Sequence, residues 1–455
     1  MHDLIKKFSS TAVAFLILIL IVGYFFVFEK GKPEKEEQKS ALFPDIKKEE
    51  IISLKFNYPD STIILSKEAQ NWFLIKNNKR YKADSFTINS IIDNFVGLKV
   101  DSDISDDDNS LSEYGLVNPK VEVIASIENK LYSIKIGSKS PIGSGVYLKE
   151  GSVPGVKLIA ASLVWPFLDR TFNEIRDREI INLDEDRITE VKFEAGYFNQ
   201  TFIKKDGRWV GDNIAENVDI NHLEIEGIVR SFSDLRVVGF ESDEPQSLSK
   251  YGLDEPSAVL TLTEGERKIE YSFGNKKENT DYYMKLSLGE PVYLVSIHNF
   301  DQLPQKIDDI RITKLLNFRE NKIANIKIVN NKNTIILSKN ENEWFIEDSE
   351  DQIDQSKISA LLAELIQLEV SEFVDDNPKD LAKYGLNAAD ISITLGKNQS
   401  NSLFLGNEKD HQVYAKKAEK NSVYLIDKYI LTFLPESKDD LLLITETDSE
   451  VVESN

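Results

Sequence analysis

The carboxylates between Asp101 and Ser110, DSDISDDDNS, are the densest group of side chains able to do chemistry. Hard cations take several oxygen ligands at once, so clustered carboxylates invite calcium. The candidates are Asp103, Asp106, Asp107 and Asp108. The stretch lacks the glycine and closing glutamate of a calcium helix-loop-helix site. The corresponding stretches further on, ESDEPQS and VDDNPKD, hold fewer acids. The plainer reading is a solvated acidic loop. Trp72, Trp209 and Trp344 form a second group, since an exposed indole stacks on sugar rings. A Trp on the last strand of a small sheet is more often core, and burial of all three would remove the glycan reading. Gly137–Gly145, GSKSPIGSG, is rich in Gly and Ser but lacks the Lys-Ser or Lys-Thr ending of a phosphate loop.

Little else offers a reaction. There is no Cys, so thiolate nucleophiles, disulfides and cysteine metal sites are excluded. The four His (His2, His222, His298 and His411) lie far apart, and no zinc-helix motif occurs. No nucleophile elbow and no dinucleotide fingerprint is present. A hydrolase would need convergent polar groups in a pocket of one copy and not the others. The expectation is a protein that is not an enzyme, with no catalytic residues and no cofactor.

The 77 Asp and Glu outnumber the 55 Lys and Arg. Residues 1–41 carry more Lys than acids, so the negative surplus lies entirely beyond residue 41. Such a surface repels phosphate backbones, and no nucleic acid is expected as a partner.

Thr11 to Phe28, TAVAFLILILIVGYFFVF, runs 18 residues without a charge. At about 1.5 Å per residue a helix of that length just crosses the hydrocarbon core. Its end is bulky, where a cleaved signal peptide wants small residues. The reading is an uncleaved single-pass anchor, with the membrane as partner through residues 11–28. The orientation favoured is N-terminus inside and the large domains outside the cytoplasm. EKGKPEKEEQKS, from Glu29 to Ser40, follows as a charged stalk.

What must position these residues is a repeat. LSEYGL (Leu111–Leu116) returns as LSKYGL (Leu248–Leu253) and as LAKYGL (Leu381–Leu386). Trp72, Trp209 and Trp344 precede the three Tyr by 42, 42 and 40 residues; Gly137, Gly274 and Gly406 follow them by 23, 23 and 22. The period, about 135 residues, is that of a whole domain. Each copy opens with alternating strands (ISLKF, ITEVKF, IANIKI) and reaches its Trp on a third. A helix follows with an apolar stripe: Ile88, Ile91, Ile92, Phe95; then Ile225, Ile228, Val229, Phe232; then Ile358, Leu361, Leu362, Leu365. Asp84, Asn221 and Asp354 stand where N-caps belong.

The recurring phrase has a folding explanation. With Gly115 just past a short helix, Leu111 and Leu116 fall where a Schellman stop places its hydrophobic contact. Gly252 and Gly385 offer the same set. Pro119 and Pro256 follow in the first two copies, while the third has Ala389. Further strands come next, then a closing helical segment and an apolar patch (Ile180-Ile181, Leu315-Leu316, Leu441 to Leu443). These patches lead into the next copy without a flexible linker, so apolar junctions and an elongated rod are expected.

The anchor together with the repeated Leu-x-x-Tyr-Gly-Leu-x-x-Pro phrase resembles a bacterial family known only as a domain of unknown function, from Leu42 to Ile444. Members look like membrane-anchored repeat proteins, often encoded beside ABC-type exporters of the gliding-motility kind. The resemblance implies an accessory role with a membrane protein complex and supplies no catalytic residues.

The expected architecture is α+β, with three tandem copies behind one transmembrane helix. Residues 1–41 form anchor and stalk; 42–180, 181–316 and 317–444 the repeats; 445–455 an acidic disordered tail. The expected role is a non-catalytic accessory or scaffold protein of the bacterial inner membrane, partnering an ABC-type transporter complex. The alternative is an extracytoplasmic ligand-binding module for envelope glycan or calcium.

Overall fold

A computed structural model describes residues 40–443, apart from 129, 152, 279 and 397–400. The apolar run at 11–28 and the acidic tail lie outside these residues. Among the described residues no helix is long and apolar enough to cross a membrane. The chain divides at Ile180/Ile181 into two compact units. The first holds repeat one and the second holds repeats two and three.

Each repeat is one antiparallel sheet with a long helix on one face. In repeat two the strands, in chain order, are Ile188–Ala195, Phe198–Lys205, Arg208–Gly211, Gly239–Ser242, Ala258–Glu264, Arg267–Lys277, Asp281–Leu286 and Val292–Ser296. Numbered one to eight, they lie side by side as 3-2-1-5-6-7-8-4, and repeat three has the same order. Two meanders, one to three and five to eight, are thus joined where strand one pairs with strand five. Repeat one keeps this order and adds Lys79–Lys82 at one edge and Ser40–Ala41 at the other, making ten strands. The fourth strand, after the helix, crosses to the far edge and pairs with the eighth.

That fourth strand corrects one expectation. The stretch read as an acidic loop is a strand for its first half, Lys99–Ser105. Its burial is irregular, so it shows no clean period of two.

The helices, Ser85–Val96, His222–Ser233 and Gln355–Gln367, bury the expected stripes in full. Each such side chain contributes about 1.5–3 kcal/mol relative to exposure. The caps also form. Asp84 accepts from the Thr87 N–H at 2.8 Å, Asn221 from Leu223 at 3.2 Å and Asp354 from Ser356 at 2.9 Å. Each satisfies a first-turn donor that has no partner within the helix.

Candidate functional site

The phrase is a turn docked on the sheet. Gly115, Gly252 and Gly385 have φ of 67°, 66° and 74°, the left-handed region open to glycine. Leu116 N–H donates to Leu111 O at 2.9 Å, Leu253 to Leu248 at 3.1 Å and Leu386 to Leu381 at 3.0 Å. Gly115, Gly252 and Gly385 donate to the carbonyls three residues back, completing the Schellman pattern. What precedes the stop is shorter than expected. It is a single 3₁₀ turn at Ser249–Tyr251 and Ala382–Tyr384, and only linked turns in repeat one. The Tyr rings meet a second Tyr on strand seven: Tyr114 with Tyr147 at 4.7 Å, Tyr251 with Tyr283 at 5.0 Å, Tyr384 with Tyr414 at 5.0 Å.

The Gly landmark belongs to the same device. A Cβ on Gly137, Gly274 or Gly406 would lie 2.2, 2.1 or 2.1 Å from the carbonyl oxygen of the phrase Tyr. No side chain fits there. The strands carry a register shift at the same place, so the glycine both bends strand six and lets the turn's backbone reach it.

Trp72, Trp209 and Trp344 are all buried. That removes the glycan reading, because no indole face among the three is open to a sugar. Trp209 also donates its ring N–H to Glu226 at 2.8 Å. Trp165, in repeat one alone, is exposed.

The acidic stretch is internally paired. Asp103 meets Lys157 at 3.0 Å. Asp107 accepts from the N–H and side-chain amide of Asn109. Asp108 accepts from the buried Lys149 at 2.8 Å and from Gly155 N–H at 3.0 Å. The Lys149 ammonium holds the Asp108 carboxyl below the usual carboxylate range, helped by the Gly155 amide. Asp106 lies on the same exposed loop. Among the described residues no group of three or more Asp, Glu and His could hold a metal ion. The calcium set is therefore a lattice of local bonds, not a convergent shell.

A cavity of about 500 Å³ opens in repeat three between Lys357 and Ala360 of the helix and Leu431–Leu434 of the closing segment. Several of its polar groups are engaged. Lys357 donates to Asp440 O, the Asp440 carboxylate accepts from the Glu436 and Ser437 N–H groups, and Thr432 donates to Tyr429 O. The arrangement sets no nucleophile beside a base.

The junction of repeats two and three holds what sequence reasoning missed. Arg311 is buried and forks onto Asp376, Nη1 to Oδ2 at 3.0 Å and Nη2 to Oδ1 at 2.5 Å. Its guanidinium lies 3.7 Å from the centre of the Phe373 ring and reaches Asp308 at 3.2 Å. Phe373 in turn meets Tyr424 edge-on at 6.0 Å. In repeat one the positions of Phe373 and Tyr424 hold Asp103 and Lys157, so the ring pair is replaced by an ion pair. Leu315 and Leu316, expected as an apolar junction patch, belong to the core of repeat three. Backbone hydrogen bonding passes from repeat two to repeat three between Ile312 and Thr313, a few residues before the expected bound at 316/317. The available signal was the ungapped match of 176–188 with 311–323, which aligns Arg176 with Arg311.

A family model described as a domain of unknown function, DUF4340, matches residues 72–214, 209–352 and 344–442. The chain belongs to the DUF4340 family. Each DUF4340 match begins at one of the three Trp, on strand three, and the first two run on into the next repeat. The family unit is thus out of phase with the folding unit, which starts two strands earlier. No curated protein matches. Among solved structures, a DnaN sliding clamp (DNA polymerase III subunit beta) from Pseudomonas aeruginosa bound to griselimycin aligns at 7% identity. The alignment covers 84% of this chain and 92% of that one, with a TM-score of 0.11.

Proposed function

We propose that this DUF4340 protein is a non-catalytic, membrane-anchored accessory or scaffold protein of the bacterial envelope, working with a membrane complex such as an ABC-type transporter. One observation carries the reading: every landmark that the chain repeats is used up by the fold. The Trp are core, the Tyr-Gly-Leu phrase is a helix stop seated on the sheet, and the later Gly makes room for it. Three copies of one architecture with no repeated site among the described residues suit a spacer or a docking surface better than a catalyst. The apolar run at 11–28 supplies the anchor, with the domains outside the cytoplasm. Residues 29–39 would keep repeat one within about 40 Å of the bilayer even when fully extended. Transporter partnership rests on the family resemblance.

The test is crosslinking in the native membrane, followed by pull-down and mass spectrometry. Transporter subunits recovered in stoichiometric amounts support the role. Recovery of the protein alone, or with glycan fragments, overturns it.

A further inference from the structure

The backbone between repeats two and three has no slack. Ile312 N–H donates to Asp219 O of repeat two at 2.9 Å. The next residue, Thr313, accepts from Val370 N–H of repeat three at 2.8 Å. Neighbouring residues are therefore hydrogen-bonded to different domains. The relative setting of the domains hangs on the few dihedrals around that one peptide.

Those dihedrals are held by a polar cluster. Arg311 binds Asp376 with both ends of its fork, and such a bidentate contact fixes direction as well as distance. Asn217 donates to the backbone carbonyl of the same Asp376. From the other side, Lys420 of repeat three reaches the Asn217 carbonyl at 3.2 Å and the Asp219 carboxylate. Two loops of repeat two, carrying Asn217 to Asp219 and Arg311, thus grip two loops of repeat three, carrying Asp376 and Lys420. Ile312, Thr313 and Lys314 are exposed, so no apolar side chain of the linker takes over this task.

We propose that Arg311 is the pin of a zero-length hinge, which locks repeats two and three into one rigid arm without contributing to the core of either. The proposal stands apart from the partner reading, since it concerns what the arm is and not what it binds. The Arg side chain is 3% exposed, so salt gains little access to its bond with Asp376. The Lys420–Asp219 pair is more open, at 20% and 45%, and is the salt-sensitive member.

The chain has no native cysteine, so paired spin labels can be placed without background. Tyr197→Cys in repeat two and Asp410→Cys in repeat three sit in strand-connecting turns. The distance between the labels is measured by pulsed electron resonance on the full chain in detergent, and again in 0.5 M salt. The parent protein is expected to give one narrow distance peak that persists in salt. Arg311→Ala and Asp376→Ala are expected to lose it to a broad distribution. Arg311→Lys, which keeps charge without the fork, should broaden it in part. Hydrogen exchange in the strands around Trp209 and Trp344 reports whether each repeat is still folded. A narrow, unshifted peak in Arg311→Ala overturns the proposal. So does loss of exchange protection in either repeat of Arg311→Lys or Asp376→Ala, since the arginine would then be part of a fold and not a pin. A parent protein that is already broad overturns it as well.

Discussion

Replacing Gly274 with alanine tests whether the recurring phrase is a docked turn. Gly274 does not lie in the left-handed region, so alanine adds no backbone strain there and its effect is contact alone. The new methyl would lie 2.1 Å from the Tyr251 carbonyl and 3.0 Å from Leu253 Cγ. A carbon and an oxygen in favourable contact lie about 3.3–3.6 Å apart, so the turn must retreat by roughly 1 Å. The obstacle is backbone and not the far end of a flexible side chain, so it cannot swing aside. Overpacking of this kind costs about 1–3 kcal/mol, and a rigid backbone obstacle puts it near the top of that range. At about 3 kcal/mol the protected state loses about a hundredfold in population. Hydrogen exchange by mass spectrometry on the full chain in detergent reads this locally. Peptides spanning 248–256 and 270–277 should exchange about a hundred times faster, with repeat three unchanged. Gly227→Ala is the opposing control: it lies mid-helix with nothing within 4 Å of the new Cβ. Alanine there should stabilise the helix by about 0.5–1 kcal/mol. If Gly274→Ala leaves exchange at the parent rate, the steric account of the landmark is wrong.

Other expectations concern single side chains. Tyr271 is fully buried and donates to Phe232 O at 2.6 Å, and burial pushes its hydroxyl pKa up. Tyr271→Phe should destabilise repeat two by about 1–2 kcal/mol in urea unfolding; a neutral change would show that the carbonyl finds another donor. Iodide should quench Trp165 alone of the four Trp, so Trp165→Phe should abolish quenching, and residual quenching would expose a buried ring. The Ser356 hydroxyl and N–H hold the Asp354 carboxyl below its usual value of 3.8. A lowered folded pKa gives stability that is full above that value and lost as pH falls beneath it. Asp354→Asn keeps a good cap and should flatten this acid loss in exchange at residues 353–360. An unchanged acid profile would remove Asp354 as its source.

The helix stripes, their caps and the Schellman stops were legible because each is set within a few residues. Ile88 to Phe95 show period 3.6 in any context, and Gly115 with Leu111 and Leu116 is a complete local signal. Strand four was illegible as a strand because Lys99–Ser105 shows no apolar alternation. Its partner, strand eight, lies some fifty residues away, and no local pattern names a long-range pairing. Arg311 was missed because a lone basic residue after the acidic turn Ile307–Ile310 looks like solvated surface; only the fold brings Asp376 and Phe373 around it. The pairing of the calcium candidates was hidden for a related reason. Composition counts carboxylates but cannot show that Lys149 and Lys157 arrive from the far strands to pair with Asp108 and Asp103.

The pairing of strand one with strand five shapes how the chain is made. In repeat one Leu54 must wait for Ala125, its partner in the register, before the two meanders join. Until then both edges are bare, and closing so long a loop makes folding slow. Since three copies share one topology, a waiting first strand can find the fifth strand of the wrong copy, the usual misassembly of tandem repeats. Emergence from the ribosome in order, one repeat closing before the next is complete, is the simplest protection. Dilution from denaturant withdraws that order and exposes all three first strands at once. The chain should therefore refold in the test tube with poorer yield than it attains in the cell.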